Sequence, residues 1–113
     1  MIIDMDENKL DNYLETVYAR ADWDMIPDYM IESVKNWIEN GWEPGSFLKA
    51  ILERRIWDAV WSADINNEHN IAKWVKFCEW YLPPNCQGSE EKVRDWKAVG
   101  GYRHSKSDSR IDC

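Results

Sequence analysis

The sequence has little of what builds a disulfide framework, a metal centre or a membrane span. Its 113 residues include three cysteines, Cys78, Cys86 and Cys113, with no CxxC pair, and two histidines whose spacing to them matches no zinc-binding pattern. The odd number of cysteines and the missing secretion signal favour a reducing compartment. No apolar run approaches the roughly 20 residues that cross a bilayer. We therefore expect a cytoplasmic protein without a metal, a cofactor or a membrane contact.

Catalytic patterns are also missing. No serine, cysteine or lysine lies in a recognisable nucleophile motif, and His69 is the one histidine inside the predicted helical region. The many carboxylates show no pattern that would distinguish a general acid or base from a solvated surface acid. We expect a binding protein rather than an enzyme.

A net charge of −7 argues against a nucleic-acid polymer as partner, because a phosphate backbone attracts basic surfaces. The charge is uneven along the chain. Residues 1–26 contain seven acids and two basic residues, whereas the remainder is almost balanced. The sequence therefore predicts an acidic amino-terminal helix within residues 1–26 and leaves room for a local basic patch elsewhere.

Apolar residues recur at helical spacing in five segments that glycine, proline and capping residues separate. The segments cover residues 7–20, 27–40, 46–63, 64–82 and 89–99, with candidate caps at Ser46, at Asp64 or Asn66, and at Ser89. The predicted inward faces include Leu10, Tyr13, Leu14, Val17, Tyr18, Val34, Trp37, Ile38, Leu48, Leu52, Ile56, Val60, Ile71, Trp74, Val75, Cys78, Leu82, Val93 and Trp96. The third segment carries a nearly unbroken apolar stripe, which predicts one long central helix.

These segments predict an all-α fold, since no stretch alternates apolar and polar residues long enough to propose a sheet. A short strand at residues 1–4 is the one exception that the pattern allows. We expect a compact bundle of about five short helices that forms a single domain over residues 1–101, with its core in residues 27–101. The polar, unpatterned residues 102–113 predict a flexible tail.

Aromatic and cationic side chains meet on the third predicted helix. Trp57 and Trp61 lie four residues apart, on a flank offset from the apolar stripe. They either widen the core or form a surface that stacks a planar ligand or meets a partner subunit. Arg54 and Arg55 lie within two turns of them. Arginine binds phosphate while an indole stacks a base, which suits a nucleotide. The alternative is that the arginines pair with neighbouring acids such as Asp58.

The start of the same helix adds a candidate anion site. The sequence Gly45-Ser46-Phe47 offers a hydroxyl and free backbone N–H groups, and Lys49 lies one turn further on. Ordinary capping by Ser46 is the alternative. The candidate ligand-binding residues are Ser46, Phe47, Lys49, Arg54, Arg55, Trp57 and Trp61.

Several short motifs lie between residues 41 and 101. They comprise Gly41, Pro44 to Leu48, Ala50, Leu52, Ala63-Asp64, Asn67, Pro83, Cys86, Gly88-Ser89, Trp96 and Gly100-Gly101. In these positions the chain resembles a family of small proteins encoded by tailed phages and prophages, with the pattern G-x-x-P-G-S-F-L-x-A-V-L, A-D-x-x-N, P-x-x-C-W-G-S and W-x-x-x-G-G. It departs from that family at Arg54-Arg55-Ile56, where Asn-Asp-Leu is usual, and at Gln87, where Trp is usual.

The resemblance implies a phage accessory protein in the cytoplasm of the host cell, and by analogy many such proteins counter host defences. Our first hypothesis is a homo-oligomer that binds and sequesters a small nucleotide-type immune signal without turnover. The alternative is a protein-protein inhibitor whose acidic amino-terminal helix occupies a basic surface of a host defence protein. Eight tryptophans exceed what one small core readily hides, and this favours the homo-oligomer.

Overall fold

A computed structural model describes residues 12–103, and every regular element within that range is helical. The α-helices are α1 (residues 12–20), α2 (Ile31–Asn40), α3 (Ser46–Leu52), α4 (Ile56–Ser62), α5 (Ile65–His69), α6 (Ile71–Tyr81) and α7 (Glu90–Val99). Three 3-10 turns cover Trp23–Met25, Asp28–Met30 and Pro84–Cys86, and residues 101–103 are also helical. The all-α class is confirmed, and no helix in this range is long and apolar enough to cross a membrane.

Some predictions fall on other parts of the chain. The short strand at residues 1–4, the beginning of the acidic helix and the tail from residue 104 onward lie outside the described residues. Residue 102 of the predicted tail lies inside them. Tyr102 stacks on Tyr13 of α1, with ring centroids 4.5 Å apart and planes inclined by 10°. The packed part of the chain therefore extends at least to this residue.

The helices outnumber the five that the sequence predicts, because two predicted helices are divided. The prediction of one helix over residues 46–63 is wrong, since α3 ends before Arg54, whose φ of 62° is left-handed. A residue in that conformation cannot continue a right-handed helix. The predicted helix over residues 64–82 is divided at Asn70, where φ is −112°. Its first part, α5, begins after the predicted cap Asp64.

Most helix ends follow the predicted stop and cap positions, but the starts of α2 and α3 do not. The helix predicted from residue 27 begins at Ile31, after a 3-10 turn at Asp28–Met30. Gly41 and Gly100 end α2 and α7 with φ values of 66° and 83°. The Ser89 side chain accepts a hydrogen bond from the backbone N–H three residues later, as an N-cap does. At α3, however, Gly45 occupies the N-cap and Ser46 is the first helical residue. The predicted capping role of Ser46 is therefore wrong.

The core is centred on large aromatic residues whose polar edges are satisfied. Trp37, Trp74 and Phe77 are fully buried. The indole N–H of Trp37 donates to the backbone oxygen of Cys86 at 2.9 Å, and that of Trp74 donates to Asn67 Oδ1 at 3.0 Å. A buried donor without an acceptor would cost about 1–3 kcal/mol. These bonds therefore tie α2 to the turn before α7 and α6 to α5.

Four residues of the predicted inward faces lie at the surface. Tyr13 of α1 is 36% exposed, Ile56 and Val60 of α4 are 43% and 41% exposed, and Val75 of α6 is 48% exposed. For Ile56 and Val60 the reason is the break at Arg54, which starts α4 in a new direction. Ala59 is the residue of α4 that becomes buried. An apolar strip on α4 and α6 is thereby left without a covering element in the described part of the chain.

Candidate functional site

The candidate residues at the start of α3 serve different purposes. Ser46 is exposed and lines a cavity of about 430 Å³ together with Asp64 and Asn67. Phe47 is buried and packs edge-on against Trp74, with ring centroids 5.4 Å apart. Packing in the core thus accounts for Phe47, and its predicted role as a ligand contact is not needed to explain it.

Lys49 lies in another cavity, beside a carboxylate that offsets its charge. Its Nζ is 3.8 Å from Glu43 Oε1, and Lys97 Nζ is 2.7 Å from the same oxygen. The hydrogen bond from Lys97 is the main reason why the pKa of Glu43 is lowered. Because Lys49 and Ser46 line different cavities, the anion site predicted at the start of α3 does not form as one pocket.

Arg55 is held by two neighbouring carboxylates. Its Nε lies 2.7 Å from Glu53 Oε1, and its Nη1 donates to Asp58 Oδ2. The hydrogen bond to Glu53 is the main cause of the raised pKa of Arg55. This confirms the alternative in which an arginine of this segment pairs with Asp58 rather than standing ready for a ligand.

Trp57 and Trp61 are the most exposed large apolar side chains in the described residues, at 87% and 91%. The interpretation that they widen the core is therefore wrong. Both project from α4, four residues apart, so they share one flank of that helix. Exposed aromatic pairs of this kind typically serve contact with a ligand or a partner.

A cleft that combines cations with aromatic rings lies between α1, the end of α6 and the start of α7. We call it the α1–α6 cleft, and its volume of about 410 Å³ is within the range of small-molecule sites. Its charged and aromatic lining includes Tyr13, Arg20, Arg54, Glu79, Trp80, Tyr81 and Lys92. Arg54 is the one candidate residue from the sequence that borders it.

The α1–α6 cleft is basic although the chain is acidic. Among the described residues that line it, Arg20, Arg54 and Lys92 face one carboxylate, that of Glu79, whose Oε2 accepts a hydrogen bond from Arg54 Nη2 at 2.9 Å. A Cβ placed on Gly88 would lie 3.6 Å from Lys92 Nζ and 3.9 Å from Arg54 Nε, so these two cations border the same point. The formal charge of the lining is +2 in a chain of −7. Such a local potential attracts anions.

Two aromatic residues of the cleft differ in how their rings are used. Trp80 is 56% exposed and meets Tyr81 edge-on with ring centroids 6.3 Å apart, which leaves an indole face open to solvent. Tyr13 is stacked on Tyr102, and burial raises the pKa of the Tyr13 hydroxyl. The hydroxyl is therefore protonated at neutral pH and can donate a hydrogen bond. An open indole face can stack a nucleobase.

Sequence reasoning found one cation of the cleft and missed the other two. Arg20 ends α1 and Lys92 lies in the first turn of α7, so no local pattern joins them to Arg54. Lys92 meets Arg54 because the backbone N–H of Gly88 donates to the oxygen of Leu52 at 2.7 Å, which docks the start of α7 beside the end of α3. One sequence feature could have pointed to the cleft: Trp80 lies off the apolar face of its helix, which indicates an exposed aromatic ring.

Neither a metal site nor a related protein helps to interpret the α1–α6 cleft. Within residues 12–103, no three His, Cys, Asp or Glu side chains are grouped so as to hold a metal ion. Comparisons with protein-family models, curated proteins and solved structures find no match for the chain. The α1–α6 cleft is therefore interpreted from the charges and rings of its own residues.

Proposed function

We propose that this protein binds a small nucleotide-type ligand in the α1–α6 cleft without chemical turnover. The observation that carries the proposal is the basic, aromatic lining of this cleft in a chain whose net charge is −7. A cleft of about 410 Å³ suits a small molecule rather than a polymer. A nucleotide combines the two features that the lining matches, an anion and a planar ring.

In the proposed complex the phosphate contacts Lys92 and Arg54, which border the same point near Gly88. The arginine fork can bind two phosphate oxygens at once, and the lysine adds a compact charge. The base lies against the open face of Trp80. Stacking on an aromatic side chain is worth about 1–3 kcal/mol per base.

The biological role that we propose is that of a phage accessory protein in the host cytoplasm, which sequesters a nucleotide-type immune signal. The resemblance between residues 41 and 101 and small phage proteins supports this role by analogy. A binder without turnover suffices for it, because a signal held in a complex cannot reach its receptor. The proposal thus needs binding chemistry and no catalytic group.

Isothermal titration calorimetry tests the proposed binding. Cyclic dinucleotides, cyclic trinucleotides and ADP-ribose derivatives are titrated into the protein at tens of micromolar, and heat with at least one of them is expected. Absence of heat with all three classes removes the proposal. A ligand that binds is then used to compare variants of the cleft.

Two matched pairs of variants locate the ligand. We expect Lys92→Ala to weaken binding at least tenfold, whereas Arg94→Ala removes one positive charge from the same helix, outside the cleft, and changes affinity little. We expect Trp80→Ala to lose about 1–3 kcal/mol of binding free energy, while Trp42→Ala, an exposed tryptophan outside the cleft, is neutral. Equal effects within either pair would place the ligand elsewhere.

A substitution of Glu79 should strengthen ligand binding rather than weaken it. Its carboxylate competes with a bound phosphate for Arg54, since the two side chains are hydrogen-bonded at 2.9 Å and both are exposed. Glu79→Gln should therefore tighten binding by up to about 1 kcal/mol, the upper range for an exposed ion pair. Weaker binding by this variant would mean that the carboxylate contacts the ligand directly.

A second candidate function is the protein-protein inhibitor, which the seven acids within residues 1–26 favour. In this alternative the acidic segment contacts a basic surface of a host defence protein, and salt weakens the complex because attraction is screened within about 8 Å. Deleting residues 1–24 is a poor test, since Leu14 belongs to the core. Neutralising Asp4, Asp6, Glu7 and Asp11 to amides keeps α1 intact, and capture of a host protein that survives this change would exclude the alternative.

A further inference from the structure

The exposed face of α4 is an apolar feature of the described residues that the proposed ligand site does not use. Trp57 and Trp61 are almost wholly exposed on it, and Ile56 and Val60 expose about two fifths of their surface. We call these four residues the α4 face. None of them lines the α1–α6 cleft. The face thus requires an explanation of its own.

A second apolar feature adjoins the α4 face. A cavity of about 460 Å³, here called the α3–α6 cavity, is walled by Ala50, Ile51, Ile56, Val75 and Cys78. Arg54, Glu79 and Gln87 complete its lining. Ile56 belongs both to the cavity wall and to the α4 face. Projecting indoles and an apolar recess therefore lie side by side on one surface.

We propose that two copies of this chain associate through their α4 faces, with a tryptophan of each copy filling the α3–α6 cavity of the other. Trp side chains buried in apolar recesses are typical of the residues that dominate binding energy at interfaces. The recess is large enough for an indole, and its wall is aliphatic. This inference goes beyond the proposed ligand binding and does not depend on it, although the α3–α6 cavity shares Arg54, Glu79 and Gln87 with the α1–α6 cleft.

The low charge of this surface suits contact with a second copy. Two chains that each carry a net charge of −7 repel one another, and a nearly uncharged contact adds least to that repulsion. Asp58 is the one charged residue of α4, and Arg55 already pairs with it. The charged members of the cavity lining, Arg54 and Glu79, also pair with each other. Both sides of the proposed contact are thus nearly neutral.

The available area also suits a dimer. Each aromatic side chain buries about 150–250 Å² in a contact, so four tryptophans from two copies supply roughly half or more of the 1,200 Å² that a small stable interface needs. The aliphatic residues of both α4 faces and of both cavities add to this. The projecting tryptophans and the α3–α6 cavity both adjoin α4. A two-fold axis near this helix therefore lets each copy insert a tryptophan into the cavity of the other, as in an isologous dimer.

Light scattering of the full chain at 1–100 µM tests the proposal. We expect a mass of twice 13.5 kDa for the unaltered chain and the monomer mass for the Trp57→Ala/Trp61→Ala double variant. Trp42→Ala is the matched control, since Trp42 is exposed but lies outside α4, and it should leave the dimer intact. Circular dichroism and the unfolding midpoint show that each variant is folded.

A cavity variant tests the other half of the contact. Val75→Trp fills the α3–α6 cavity from a position that is itself half exposed, and it leaves both tryptophans of α4 in place. It should abolish the dimer as completely as the double variant does. A dimer that persists in either variant overturns the proposal, and so does a monomeric unaltered chain. Blue-shifted tryptophan emission from such a monomer would instead indicate that the chain's own remaining residues cover the α4 face.

Discussion

At the scale of single residues, the indole N–H groups separate the tryptophans that build the fold from those that face solvent. Trp23, Trp37 and Trp96 donate to backbone oxygens, and Trp74 donates to a side-chain amide, all at 2.8–3.0 Å. The exposed group comprises Trp42, Trp57, Trp61 and Trp80. Buried indoles generally need such an acceptor. For each of the four hydrogen-bonded tryptophans, the acceptor lies in another element of the fold. Helical spacing within one segment does not show whether such an acceptor exists, so it could not assign Trp57 and Trp61 to the surface.

Gly101 gives a residue-scale prediction, because its backbone touches that of Gly41. A Cβ on Gly101 would lie 2.4–2.5 Å from backbone atoms of Gly41 and Asn40, and its φ of 82° is left-handed. Gly101→Ala should therefore lower the free energy of unfolding by about 2–4 kcal/mol through strain and overpacking. Urea denaturation measures this loss.

Gly45→Ala is the matched control for that substitution. A Cβ at Gly45 meets nothing within 4 Å, and its φ is −66°. The change should stay within about 1 kcal/mol, because a lost N-cap glycine and a stiffer unfolded chain partly offset each other. Similar losses for both glycines would show that the close approach of Gly101 to Gly41 is not what limits stability.

At the scale of elements, α2 and α7 could be predicted closely from the sequence, whereas α3 and α4 could not. Gly41, Ser89 and Gly100 mark helix ends through local conformation and local hydrogen bonds, and such signals can be read from the sequence. The break at Arg54 has no such signal. Its apolar neighbours keep helical spacing across the break, and arginine itself favours helix. Tertiary packing therefore sets this conformation.

Arg54 gives the element-scale prediction. A non-glycine residue with φ of 62° costs about 1–3 kcal/mol, and glycine adopts the same conformation without that cost. Arg54→Gly and Arg54→Ala both lose the exposed ion pair with Glu79, but only the alanine variant keeps the strain. We expect the glycine variant to be about 1 kcal/mol more stable than the alanine variant in urea denaturation. The reverse order would mean that chain entropy outweighs strain at this position.

At the scale of the whole molecule, the α1–α6 cleft is assembled from distant parts of the sequence. Arg20 belongs to α1, Arg54 follows α3, and Lys92 belongs to α7. The sequence showed that charge is nearly balanced after residue 26, which allowed a basic patch but did not locate it. Packing of the start of α7 against the end of α3 brings Arg54 and Lys92 together. Such a site depends on long-range contacts, and no pattern within one helix encodes it.

The prediction at this scale concerns two cysteine thiols and a tyrosine hydroxyl whose pKa values are raised by burial. Burial raises the pKa of the Cys78 thiol from 9.0 to about 12, and burial also raises the pKa of Cys86 and of Tyr18. Folding therefore favours the protonated forms. The stability that this contributes is fully present below pH 9 and is lost as the pH rises toward 12, because the unfolded chain releases these protons first.

Urea denaturation under reducing conditions at pH 7.5 and pH 10.5 measures this alkaline loss. Each thiol contributes up to about 1.4 kcal/mol per pH unit between its unfolded and folded pKa values, so the two together predict a loss of roughly 2–4 kcal/mol. Cys78→Ala removes one titrating group, so the free energy of unfolding of this variant should fall less between pH 7.5 and pH 10.5. If the unaltered chain is equally stable at both pH values, Cys78 and Cys86 are open to solvent, and the packing of α6 against the turn before α7 is looser than the structure has it.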